Sequence, residues 1–88
     1  MFNRIRDLLH PVQLEVVSEA DFKENLYPLN NDVKAAIEQT IFKNQGNIVK
    51  FMYGHQPRHR VFKIVFYEGE PLVWDLRRPF IPAFRWLR

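Results

Sequence analysis

Residues 47–76, NIVKFMYGHQPRHRVFKIVFYEGEPLVWDL, decide the fold. At the centre of the stretch Phe62, Ile64 and Phe66 alternate with Val61, Lys63, Val65 and Tyr67, and β-branched or aromatic residues fill almost every position. Apolar side chains on both faces predict a central strand, or one roofed by a helix on one side. On the near side Ile48, Lys50 and Met52 alternate with Val49, Phe51 and Tyr53; on the far side Leu72, Trp74 and Leu76 alternate with Val73 and Asp75. Glu68-Gly69-Glu70-Pro71 supplies a tight connection, because Gly69 can take a positive φ without steric cost. Residues 54–59, GHQPRH, read as a longer loop of hairpin length. The stretch is thus a three-stranded antiparallel meander whose first turn is basic.

Working outward, Asn30-Asn31-Asp32 offers cap residues for a helix in which Val33, Ala36, Ile37, Thr40 and Ile41 form one apolar stripe. Gly46 is the natural left-handed residue to close it, and the helix is expected to cross the sheet that follows. Before it, Ser18 with Asp21 three positions on resembles a capping box and predicts a short helix to Leu26, ended by Tyr27-Pro28. Residues 12–17 alternate as a strand with Val12, Leu14 and Val16 on one face. Phe2, Ile5, Leu8 and Leu9 lie at helical spacing up to His10-Pro11, which predicts an N-terminal helix. Beyond Leu76, Pro79 and Pro82 forbid a long central strand, and Phe84 and Trp86 alternate with Arg85 and Leu87 as a final edge strand.

Eighty-eight residues with 47% hydrophobic and 15% aromatic content make one globular domain, 1–88. No cysteine is present, which excludes disulfides and thiolate metal sites. No long apolar run follows the first charges, so neither a signal peptide nor a membrane span is expected and the expected location is cytoplasmic. The net charge of +3 is unevenly spread. Residues 1–46 hold five Lys/Arg against seven Asp/Glu, and residues 47–88 hold eight against three. The strand-rich half is therefore the electropositive one. This points to an acidic partner, either nucleic acid or an acidic protein surface. The competing reading is ordinary solvation of a sheet edge by Lys and Arg.

Catalysis has few candidates. Ser18 is the only serine, Thr40 the only threonine, and both suit helix positions, so a nucleophilic hydrolase lacks a nucleophile. No catalytic residue is assigned and the chain is read as no enzyme. His55 and His59 have a spacing that would join them on a helix, but Gly54 and Pro57 argue for a loop, and zinc needs three or four ligands. No metal and no cofactor are expected, and no glycine-rich phosphate cradle occurs.

The strongest functional pattern is basic residues interleaved with aromatics. Arg58, His59 and Arg60 fall in the first turn, Arg77 and Arg78 in the next connection, and Arg85 and Arg88 on the last strand. Tyr53, Tyr67, Trp74, Phe84 and Trp86 lie among them. Arginines on phosphates beside aromatics on bases are a recurring mode for single strands. Arginine outnumbers lysine six to two in this half, which favours forked hydrogen bonding to phosphate or carboxylate. The candidate ligand-binding set is Arg58, Arg60, Arg77, Arg78, Arg85, Arg88, Tyr53 and Trp86. The alternative makes the aromatics core and the arginines rim.

From about residue 33 onward the order of features resembles a WYL domain, the Sm/SH3-like barrel module of bacterial regulators. Val49-Lys50-Phe51-Met52-Tyr53 matches a V-x-F-x-Y strand, Arg60-Val61 the start of the next, Leu72-Val73-Trp74-Asp75-Leu76 an L-v-A-y-D-l strand, and Phe84-Arg85-Trp86-Leu87-Arg88 the closing F-R-l-x-R-I. The resemblance spans residues 33–88. It departs from the family where Glu70-Pro71-Leu72 replaces the name-giving Trp-Tyr-Leu and where Lys63 stands at a frequent proline position. It implies binding of nucleic acid or a small anionic ligand, with Arg60, Arg85 and Arg88 in the basic groove.

The expected fold is α+β: a small, strongly bent antiparallel sheet of four or five strands, SH3/Sm-like and barrel-forming, capped by one or two helices. Residues 1–32 are expected to be a helix, strand and helix added to the module of residues 33–88. The expected function is non-enzymatic binding of single-stranded nucleic acid or another phosphate-bearing ligand. The alternative is a phage- or plasmid-encoded inhibitor or adaptor that docks on an acidic surface of a host protein. A third reading is a homodimer paired through the edge strand near Phe84 and Trp86.

Overall fold

The computed structural model describes residues 12–78 and the backbone of residues 81–82. The N-terminal helix expected over residues 2–9, the edge strand expected around Phe84 and Trp86, and the dimer built on it lie outside the described residues. The element order is β1 (Glu15–Val17), α1 (Glu19–Glu24), α2 (Asn31–Lys43), β2 (Ile48–Gln56), β3 (His59–Phe66), β4 (Leu72–Arg77) and β5 (Ile81–Pro82). The strands form one antiparallel sheet in the order β1-β2-β3-β4-β5, four strands extended by the two-residue β5. The α+β architecture, the helices and the central position of β3 are as the sequence predicts. Among the described residues β1 and β5 do not pair, so the sheet is open at both edges.

The register assigns the two faces. Tyr53 pairs with Phe62 and Phe62 with Trp74, while Phe51 pairs with Ile64 and with Val17. These side chains share one face, and both helices cover it. Val33, Ile37 and Ile41 recur every four residues along α2, so one narrow stripe is buried. Ala36 and Thr40 flank it and stay outside, Ala36 exposed and Thr40 returning its hydroxyl to the Ala36 carbonyl. From α1 and the turn after it come Phe22 and Leu26, both at zero exposure, and Leu29. Phe22 packs against Phe51 at 4.8 Å between centroids and edge-on to Phe62 at 5.4 Å, and Tyr53 meets Phe62 at 4.9 Å. Interlocked tilted rings are the favoured geometry for aromatic quadrupoles.

Local signals explain the element ends. Ser18 caps α1 by accepting from the Asp21 backbone N–H at 3.1 Å, as the capping pattern requires. Gly46 takes φ +86° after α2 and Gly69 φ +102° between β3 and β4, both left-handed positions that favour glycine. Asn47 holds the β3–β4 turn from outside: its side-chain amide donates to the Glu68 carbonyl while its side-chain oxygen accepts from the Glu68 N–H.

Four details correct the sequence reading. The loop expected over residues 54–59 contracts to a turn at Pro57-Arg58, because β2 runs to Gln56 and β3 begins at His59. Gly54 is consequently a strand residue. A Cβ there would lie 2.1 Å from the Gln13 carbonyl oxygen and 2.8 Å from Cγ1 of Val12, so its missing side chain admits the chain leading into β1. Strand β1 spans only Glu15–Val17, and Val17, paired with Phe51, packs on the core while Val16 is 61% exposed. Finally, the register slips between Ile48 and Lys50, a bulge at Val49 that lets Ile48 join Phe51 on the core side despite their odd spacing.

Candidate functional site

The β2–β3 turn and the connection after β4 emerge at the same end of the sheet. The Arg78 N–H donates to the Arg58 carbonyl at 3.1 Å, which locks the two together. Four of the predicted ligand residues therefore converge. Arg58 and Arg78 are exposed at the tips, while Arg60 and Arg77 are half-buried on the adjoining strand ends. Arg77 pairs with His59 across β3–β4 and Arg60 with His55 across β2–β3. Arg85, Arg88 and Trp86 lie outside the described residues.

Strand pleating sends these cations to different sides. Arg60 projects on the helix-covered face, where its Nη1 donates to the Tyr53 hydroxyl at 2.7 Å. Tyr53 is 9% exposed, so its ring belongs to the core and its contribution is the hydroxyl that holds Arg60. His59 and Arg77 project on the opposite face. There His59 Nε2 meets Asp75 Oδ1. The cations thus wrap the sheet end as a collar.

The uneven charge of the chain becomes a spatial one along the strands. Glu68 and Glu70 occupy the β3–β4 turn at the far end, and Glu19 and Asp21 follow the far end of β1. Lys23 pairs with Glu19 at 2.9 Å along α1, an exposed pair worth little. The collar holds Arg58, Arg60, Arg77, Arg78, His55 and His59, with Asp75 and Glu15 the acids beside it. Among the described residues no three His, Asp or Glu side chains gather in a metal-binding group, and no helix is long and apolar enough to cross a membrane.

Next to the collar a groove of about 610 Å³ opens between the start of β1 and the end of β2. Gln13, Glu15, Tyr53, His55 and Gln56 line it. His55 is exposed and lies nearly parallel to the Tyr53 ring, 28° between planes and 5.7 Å between centroids. Sequence reasoning missed this groove because it assigned Gly54, His55 and Gln56 to a loop. The available signal was the period of two that carries Phe51 and Tyr53 on to His55. Comparison of the chain with family models, with curated proteins and with solved structures returns no match.

Proposed function

We propose that this chain is a non-enzymatic binding domain that holds single-stranded nucleic acid by its phosphates at the arginine collar. One observation carries the reading: the Arg78–Arg58 backbone bond joins two turns that each bring arginines to the same end of the sheet. Forked guanidinium donors suit phosphate oxygens, and a groove open beside them suits unpaired bases. The acidic loops at the opposite end favour one orientation toward a polyanion. A WYL-like module, with its sheet forming an SH3-like barrel, is the finer form of the same proposal. Helix α2 followed by the β2–β3–β4 meander is the part of that plan on which it rests.

The test is fluorescence anisotropy with a labelled single strand and a duplex control. Replacing Arg58 and Arg78 together by alanine is expected to weaken single-strand binding at least tenfold. Replacing Glu68 and Glu70 by glutamine at the far end is expected to leave it unchanged or slightly tighter. Unchanged affinity in the arginine double variant, or capture of an acidic protein in place of the oligonucleotide, would contradict the reading.

A further inference from the structure

The collar reaches both faces of the sheet, and the two faces differ in charge. Helices α1 and α2 cover one face, and the segment that holds them, residues 19–43, carries five Asp/Glu against three Lys. On the open face the register sets Val16, Met52, Lys63 and Val73 in one row, Lys50 beside Val65, and His59 beside Arg77. Among the described strand residues the cations of this face are Lys50, Lys63 and Arg77, and its one acid, Asp75, is engaged by His59. A polyanion that leaves the collar therefore meets repulsion over the helices and attraction over the open face.

The three cations are spread along the strands. Lys63 stands four residues beyond His59, about 13 Å from the row of Arg77, and Lys50 lies level with Val65, about 20 Å from that row. Lys63 pairs with Met52, so Lys50 is its diagonal neighbour at about 7–8 Å. Clustered cations hold a single anion, whereas a line of them follows a chain of phosphates. Lys50, Val16 and Val73 are exposed, and Met52, Lys63 and Val65 are half-buried. Residues 12 and 13 pass over this face at Gly54, four residues along β2 from Lys50. The valines and Met52 offer a base apolar contact without hydrogen-bonding groups, so the face suits a strand of any sequence.

We infer that a bound single strand leaves the collar over the open face of the sheet and not over the helices, its phosphates passing from Arg77 to Lys63 and then to Lys50. The path rests on the phosphate-binding reading and extends it beyond the collar.

The experiment uses labelled thymidine strands of four and twelve nucleotides on the full chain, read by anisotropy across a salt series. Lys50→Gln with Lys63→Gln is expected to weaken the twelve-nucleotide strand at least fivefold. Its salt slope is expected to become shallower by about 1.4, two phosphate contacts at about 0.7 each. The four-nucleotide strand, held at the collar alone, is expected to bind this variant as it binds the wild type. Lys34→Gln with Lys43→Gln removes the same charge from the helix side and is expected to change the binding of neither strand. Circular dichroism checks that each variant stays folded. Unchanged binding of the twelve-nucleotide strand without Lys50 and Lys63 overturns the path, and leaves the collar standing when the Arg58 and Arg78 variant still loses affinity. An equal loss in the helix-side pair overturns the path by reducing it to net charge. No binding of either strand by the wild type overturns both the path and the collar.

Discussion

An added methyl group at Gly54 would collide with the Gln13 carbonyl oxygen, backbone that cannot rotate away. Gly54→Ala is therefore expected to destabilise the fold by about 2–3 kcal/mol, the upper part of the range for overpacking, as read from the midpoint of urea unfolding. Gly69 has open space around it but sits at φ +102°. Gly69→Ala should cost about 1–2 kcal/mol through backbone conformation alone. The two glycines look alike in the sequence, each followed by a polar residue and a proline within three positions, and both read as turns. What separates them is a long-range contact, the passage of residues 12 and 13 over β2, and no local pattern encodes it. Tyr53 teaches the same lesson from the opposite side. Its neighbours mark it as an aromatic among arginines, but its place in the pleat sends the ring into the core and leaves only the hydroxyl at the site.

Elements were legible where a local signal and the tertiary packing agree. Ser18 and Asp21 announce α1, and Ser18→Ala should remove about 1 kcal/mol of stability with the loss of one backbone hydrogen bond. Strand β3 is legible because it is central and apolar on both faces. Strand β1 was half legible. Its alternation is real, but register with β2 selects Val17 and turns Val16 outward, the one-residue shift that exchanges the faces of a strand. Asn47, next to the Gly46 that closes α2, clamps a turn 21 residues later, which no local pattern announces. Asn47→Ala is expected to cost about 1–2 kcal/mol and to speed amide hydrogen exchange at Glu68 while leaving Phe62 protected. Uniform destabilisation with no local change at Glu68 would contradict the clamp.

At the scale of the molecule, the charge split between the two halves of the sequence was visible, but its axis was not. Composition places the cations on the strand-rich half. Only the antiparallel register shows that Arg58, Arg60, Arg77 and Arg78 meet at one end of the sheet while Glu68 and Glu70 meet at the other. The groove was less legible still, because it needs β1 beside β2, two elements separated by both helices. The site combines a cationic end that suits phosphate with a groove that opens beside it. Its orientation is set by the meander, which carries the arginine-bearing turns together without help from either helix.

The central claim is that the collar binds phosphates, and the most direct test is the salt dependence of single-strand affinity from 50 mM to 300 mM salt. Four engaged arginines predict a slope of log K against log salt of about −3, falling to about −1.4 when Arg58 and Arg78 are both alanine. A slope near zero for the wild type, or one that the double substitution leaves unchanged, would contradict the account.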